Sequence, residues 1–385
     1  MLRKDRYTGF LVQNIENHII NYPTPVNFSY FWSFGSLIGL TLGIQILTGI
    51  FLAMHYTPHI DLAFESVNHI MRNVAGGWFF RYAHANGASM IFILMYTHML
   101  RGLYYQSYKR PRHHVWNSGV LIFILMAGTA FLGYVLPWGQ MSYWGATVIT
   151  NILSAVPIFG EPLVTWIWGG FSVNNATLNR FFALHFVLPF VIAALALIHI
   201  VLLHQVGSSN PTGLESDVDY VRFTPYFFWK DVVSFLVFIL FYLYIVFYKP
   251  DVFGHPDNYI KANSMVTPTH IVPEWYFLPY YAILKSIPDK LGGAVAMGAS
   301  MAFLFLLPII DISKYSYVKC KLFHEVTFFI FVLVVLLLGW LGGRAPTGVI
   351  VTFNQLLTFY YFFHLLAIIP GLGWLNNYYF ELENK

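Results

Sequence analysis

The sequence predicts an all-α polytopic membrane protein with eight transmembrane helices, and three observations predict it. Of 385 residues, 57% are hydrophobic and only 10% charged; a soluble domain carries about 25% charged residues. Apolar runs of about 20 residues, each enough to cross a hydrocarbon core, recur eight times. Glycine and proline stand inside those runs, which transmembrane helices tolerate better than soluble ones.

Taken in order, the runs cover 31–54, 78–100, 115–136, 181–203, 228–247, 291–310, 326–341 and 350–374. The second carries Arg81 near its start, and the seventh is short and flanked by Glu325 and Arg344. Residues 1–30 read as an amphipathic, interfacial segment, 31–215 as a four-helix unit, and 216–385 as a second membrane unit of four helices. Residues 1–30 do not read as a cleavable signal: Arg3, Lys4, Asp5, Arg6 and Glu16 precede what is expected to be a full span rather than a short apolar core.

Eight spans put both termini on one side. That side holds Arg3, Lys4, Arg6, Arg101, Lys109, Arg110, Arg112, Arg222, Lys230, Lys314, Lys319, Lys321 and Lys385. Its excess of Lys and Arg marks the cytoplasm or matrix. The formal net charge of +4 comes from loop anchors and gives no reason to expect nucleic acid. One cysteine, Cys320, cannot hold an iron–sulfur cluster or an intrachain disulfide, and no C-x-x-C-H run attaches a c-type haem.

The second run contains His84 and His98, the fourth His185 and His199, and each pair is 14 residues apart. Fourteen residues make about four helical turns, so each pair lies near one face with about 21 Å between its members. The two helices run in the same direction, which levels His84 with His185 and His98 with His199. Two facing imidazoles can fill both axial positions of a haem iron, leaving no vacancy for dioxygen. Gly35 and Gly49 on the first run, and Gly119 and Gly133 on the third, repeat the 14-residue interval. Positions without a Cβ let a porphyrin edge approach the backbone. A lone intramembrane histidine is more often a helix–helix hydrogen bond, and a lone glycine a packing contact. Four matched intervals favour a di-haem bundle built from the first four helices.

The run His84-Ala-Asn-Gly-Ala-Ser89, the segment Gly145-Ala-Thr-Val-Ile-Thr150 and Pro273-Glu-Trp-Tyr276 resemble mitochondrial cytochrome b of the ubiquinol–cytochrome c reductases. The resemblance covers essentially the whole chain. The 13 residues between His185 and His199 are similar to the respiratory branch; photosynthetic relatives have one more and split the protein in two.

The resemblance implies two non-covalent b-type haems with bis-histidine ligation and ubiquinol/ubiquinone as substrate. It also implies a multi-pass place in the mitochondrial inner membrane, with synthesis inside the organelle. Quinol oxidation would involve Glu274, Phe131, Tyr134, Gly145 and Tyr281. Among apolar neighbours, Glu274 should resist ionisation and can take a proton from a quinol hydroxyl. From the residues alone, Glu274 could equally complement a helix begun by Pro273. A second quinone site would use His204, Ser208, Lys230 and Asp231, although Lys230 and Asp231 also read as an interfacial anchor pair. Arg81 and Arg101, each three residues from a haem histidine, suit haem propionates or snorkelling to the interface. The remaining histidines read as loop or interface residues.

An iron–sulfur subunit, a c-type cytochrome subunit and further subunits of a dimeric complex are the implied partners, with the lipid bilayer. Two rivals are a di-haem anchor of a dehydrogenase and a transporter that couples protons through histidine. A transporter would show no haem bands.

Overall fold

A computed structural model describes residues 16–213, 219–315 and 321–383. Cys320, Arg3, Lys4, Arg6, Lys319, Lys385 and the first half of the predicted interfacial segment lie outside the described residues. The rest of that segment holds a short strand, β1 (Pro23–Pro25), antiparallel to β2 (Tyr220–Arg222) with Pro23 opposite Arg222. Prolines lack the N–H a longer ladder needs, so the ribbon stays three residues long.

The chain is otherwise helical. Two long helices, α1 (Phe34–Ala53) and α3 (Gly77–Tyr104), flank the short amphipathic α2 (Ala63–Arg72). Then come α4 (His113–Val135), α5 (Gln140–Asn151), α6 (Gly160–Trp168) and α7 (Asn175–Val206). The second half holds α8 (Phe223–Tyr248), α9 (Leu278–Ser286), α10 (Lys290–Ala302) and the single turn α11 (Leu307–Ile310). It ends with α12 (Lys321–Gly342), α13 (Val349–Phe363) and α14 (Ile369–Glu383).

Local sequence explains the boundaries. Asn174 and Thr177 form a capping box at the start of α7, satisfying N–H groups that have no partner within the helix. In α2, Glu65 sits in the first turn and Arg72 in the last, each opposing the local end of the dipole. Gly169 ends α6 at φ 70°, a left-handed conformation that glycine takes without a Cβ clash.

Among the described residues, seven helices are long and apolar enough to cross a membrane: Tyr30–Ala53, His113–Val135, Asn175–Val206, Phe223–Tyr248, Lys290–Ile310, Lys321–Gly342 and Val349–Glu383. The second predicted span, α3, is not among them: it has 28 residues and reaches about 42 Å, but histidines, arginines and Asn86 dilute its apolar character. It compensates by burial, enclosing Asn86, Ser89, Met90, Ile91, Phe92 and Met95. Leu184, Val187, Leu197 and Val201 on α7, and Leu236, Val237 and Leu240 on α8, are more than half exposed. Apolar faces of that extent need a non-aqueous neighbour.

In the first half α1 packs along α3 and α4 along α7, while α8 leans on α3. In the second half α9 lies against α10, α12 and α13; Gly342 at the end of α12 sits so close to α9 that a Cβ would meet the Leu278 carbonyl at 2.2 Å. The connections gather at two ends. At one, β1 meets β2, Arg112 donates to the Gly207 carbonyl at 2.9 Å and Lys109 pairs with Asp311 at 3.2 Å. At the other, Tyr56 donates to Leu136, Gly139 bridges to Lys261, and Lys290 donates to Ser154.

Candidate redox and quinone sites

The two helix pairs bring the four histidines and four glycines together. A Cβ at Gly49 would lie 3.1 Å from His84 Cε1, and one at Gly35 would lie 3.3 Å from His98 Cε1. Across the bundle, a Cβ at Gly119 would lie 3.3 Å from His199 Cε1 and one at Gly133 only 2.3 Å from His185 Cε1. Each glycine therefore makes room for one imidazole on the helix packed against it. His84 and His185 face one another with ring centres 6.1 Å apart and planes at 90°. Two metal–imidazole bonds of about 2 Å in line would set the centres about 6 Å apart, so the spacing fits an iron between the rings.

Every Nδ1 has a partner. Thr48 Oγ1 lies 2.9 Å from His84 Nδ1, and the Thr129 carbonyl accepts from His185 Nδ1 at 2.8 Å. Ser118 Oγ lies 2.8 Å from His199 Nδ1. These contacts leave the Nε2 lone pairs of His84, His185 and His199 directed elsewhere, the tautomer a metal needs. His98 differs: Arg101 donates to its Nδ1 at 3.2 Å, which puts the ring proton on Nε2. That contact must be exchanged before His98 binds a metal. Arg101 also lies over Trp32, 5.0 Å from the ring centre, and its Nε is buried without a hydrogen-bond partner. A buried, incompletely paired guanidinium suits a carboxylate such as a haem propionate.

A cavity of about 330 Å³ is lined by Gly49, Arg81, His84, Gly133, Tyr134, His185 and Glu274. The Pro273–Tyr276 motif is anchored so that Glu274 faces it. Trp275 Nε1 donates to Ser89 Oγ at 3.0 Å, Tyr276 stacks on Phe92 at 4.0 Å, and Tyr96 donates to the Tyr276 carbonyl at 2.5 Å. Glu274 precedes a three-residue turn, Trp275–Phe277, without capping it through its side chain. Its carboxylate instead accepts from Tyr134 and feels the charge of Arg81. Burial raises the carboxyl from 4.5 to about 7, against the opposing pull of that hydrogen bond and that charge.

The other predicted members stand apart. Phe131 packs edge-on against Phe181, Gly145 faces open space, and Tyr281 donates to the Ile271 carbonyl at 3.5 Å. None of the three lines the cavity that Glu274 lines. At the opposite end His204 stacks on Tyr22 with centres 4.3 Å apart, and Ser208 lies near the buried Tyr22 hydroxyl. Ser33 and Ser36 stand beside the Asp231 carboxyl. Lys230 donates to the Phe28 carbonyl and lies over the rings of Tyr30 and Phe227, an anchor's set of contacts. Sequence reasoning missed Thr48, Ser118 and Thr129. For Thr48 and Ser118 the one legible signal is a hydroxyl residue directly before Gly49 and Gly119; Thr129 acts through its backbone carbonyl.

Residues 19–207 match the family described as "Cytochrome b/b6/petB", and residues 261–362 match the one described as "Cytochrome b(C-terminal)/b6/petD". The chain is 54% identical to "Cytochrome b" of Chondrus crispus over 373 residues, which cover 97% of this chain and 98% of that one. The chain belongs to the cytochrome b family. It is also 57% identical to "Cytochrome b" of Marchantia polymorpha, over 94% of this chain and 90% of that one. A solved chain titled "Hyperthermophilic respiratory Complex III" superposes with a TM-score of 0.91 at 35% identity, covering 96% of this chain and 98% of that chain. Membership makes this a haem-binding electron-transfer subunit of a quinol oxidoreductase and a multi-pass membrane protein.

Proposed function

We propose that the chain is the di-haem, quinol-oxidising subunit of a mitochondrial ubiquinol–cytochrome c reductase, with eight membrane crossings that include α3. The observation that carries this reading is the His84–His185 pair, 6.1 Å apart at right angles beside two glycines that clear space for the rings. His84 and His185 would hold one b-type haem, His98 and His199 a second, with Arg81 and Arg101 toward the propionates. When bound, the haems supply one-electron transfer across the membrane.

The chain's own residues handle quinol, quinone and protons. Glu274 accepts a proton from a quinol hydroxyl, Tyr134 holds the carboxylate in place, and Arg81 keeps its ionised form within reach. Phe131, Gly145 and Tyr281, which do not line the cavity that Glu274 lines, are assigned to the quinol pocket on the family resemblance alone. On the opposite side His204 and Asp231 deliver protons to a reduced quinone, with Ser208 nearby and Lys230 as the interfacial anchor. Proton release at one face and uptake at the other couples electron transfer to proton translocation. The iron–sulfur and c-type centres belong to partner subunits, in a dimeric complex of the inner membrane.

A reduced-minus-oxidised visible spectrum of the purified complex, with haem counted per chain, tests the reading. Two low-spin b-type haems per chain are expected. One haem, or none, refutes the paired-histidine arrangement.

A further inference from the structure

Two of the four histidines are held by a hydroxyl residue that immediately precedes the glycine packed on the same ring. On α1, Thr48 lies 2.9 Å from His84 Nδ1 while Gly49 faces the same imidazole. On α4, Ser118 lies 2.8 Å from His199 Nδ1 while Gly119 faces that ring. The other two glycines follow Phe34 and Leu132, which have no hydroxyl. Their histidines take different partners, Arg101 for His98 and the Thr129 carbonyl for His185.

The direction of each hydroxyl is set by its own helix. Thr48 Oγ1 donates to the Ile44 carbonyl at 2.7 Å, and Ser118 Oγ donates to the Val115 carbonyl at 2.8 Å. Each proton is committed to the backbone, so each oxygen presents a lone pair to the ring and accepts from Nδ1–H, which it shares with a backbone carbonyl, that of Gln45 at His84 and that of Val115 at His199. A hydrogen-bonded Nδ1–H fixes the tautomer and ring orientation and makes Nε2 a stronger donor to a metal. The two hydroxyls serve different pairs, Thr48 that of His84 and His185, Ser118 that of His98 and His199.

We propose that Thr48 and Ser118 are positioning residues, one for each metal centre, which select the tautomers of His84 and His199 and tune the two reduction potentials separately. This rests on reading the paired histidines as haem ligands. Losing the hydrogen bond weakens the donor imidazole, stabilises the ferric iron less, and raises the potential of that centre alone.

Redox titration of the purified complex, followed at the haem bands, reads both midpoint potentials. Thr48→Val keeps the shape and loses the hydroxyl; it is expected to raise one potential and leave the other unchanged. Ser118→Ala is expected to raise the other one. Thr48→Ser and Ser118→Thr keep the hydroxyl and should titrate as the unmodified complex does. If Thr48→Val fails to retain haem while Thr48→Ser keeps two, the hydroxyl is again responsible. The inference is overturned if Thr48→Val moves both potentials or neither, or if Thr48→Ser loses haem or shifts as far as Thr48→Val. An unmodified complex with fewer than two haems per chain removes the paired-histidine reading itself. Two haems indifferent to both hydroxyls remove only this inference.

Discussion

At Glu274, burial brings the carboxyl to about 7, while the Tyr134 hydrogen bond and the Arg81 charge act in the opposite direction. A carboxyl takes up a proton only in its ionised form, which becomes the major species as pH rises through about 7. Quinol oxidation by the complex should therefore quicken across that range and level off above it. Glu274→Gln should slow oxidation by roughly a hundredfold, the usual contribution of a placed base, and flatten that rise while both haems remain. Unchanged turnover would remove the proton role. The glycines make a graded test by haem count. Gly133→Ala sets a methyl 2.3 Å from His185 Cε1, whereas Gly119→Ala meets His199 at 3.3 Å. The first should cost the complex one haem per chain; the second should keep two, because a few tenths of an ångström relieve the contact.

Among the elements, the connection after α3 is fastened to the end of α11 by a buried ion pair. Lys109 and Asp311 approach to 3.2 Å with side chains only 9% and 2% exposed. Tyr108 donates to the same carboxylate at 2.8 Å, and the Ser313 N–H donates to its other oxygen at 3.0 Å. Removing one partner strands a charge and costs about 3–5 kcal/mol, whereas replacing both with apolar residues costs far less. Thermal inactivation of the complex should follow: Lys109→Met much less stable, Lys109→Met with Asp311→Leu largely restored. This latch was not legible in the sequence, since 202 positions separate its members. The long helices were legible. The run read at 115–136 is α4 (His113–Val135), and that at 181–203 lies within α7 (Asn175–Val206). The short helices α2, α5, α6 and α9 were not, because each is too short for a span and mixes polar with apolar residues. The last run, read at 350–374, continues through a wider turn at His364–Ile368 and on to Glu383.

Across the whole molecule, what could be read early was whatever a regular helix converts into distance. Fourteen residues become about 21 Å, so the levels of His84, His98, His185 and His199 follow from spacing. The convergence of Arg81, Tyr134 and Glu274 does not. They come from α3, α4 and the connection before α9, and only tertiary packing sets them around one space. The Asp231 contacts with Ser33 and Ser36 were hidden for the same reason. That shared space has a physical consequence. The cavity that Glu274 lines is also lined by His84 and His185. A small molecule lodged beside the acid would thus be an electrostatic neighbour of a haem held by that pair. Reciprocity would then require that its affinity follow the oxidation state of that haem, and that its binding displace the haem's potential by the same free energy.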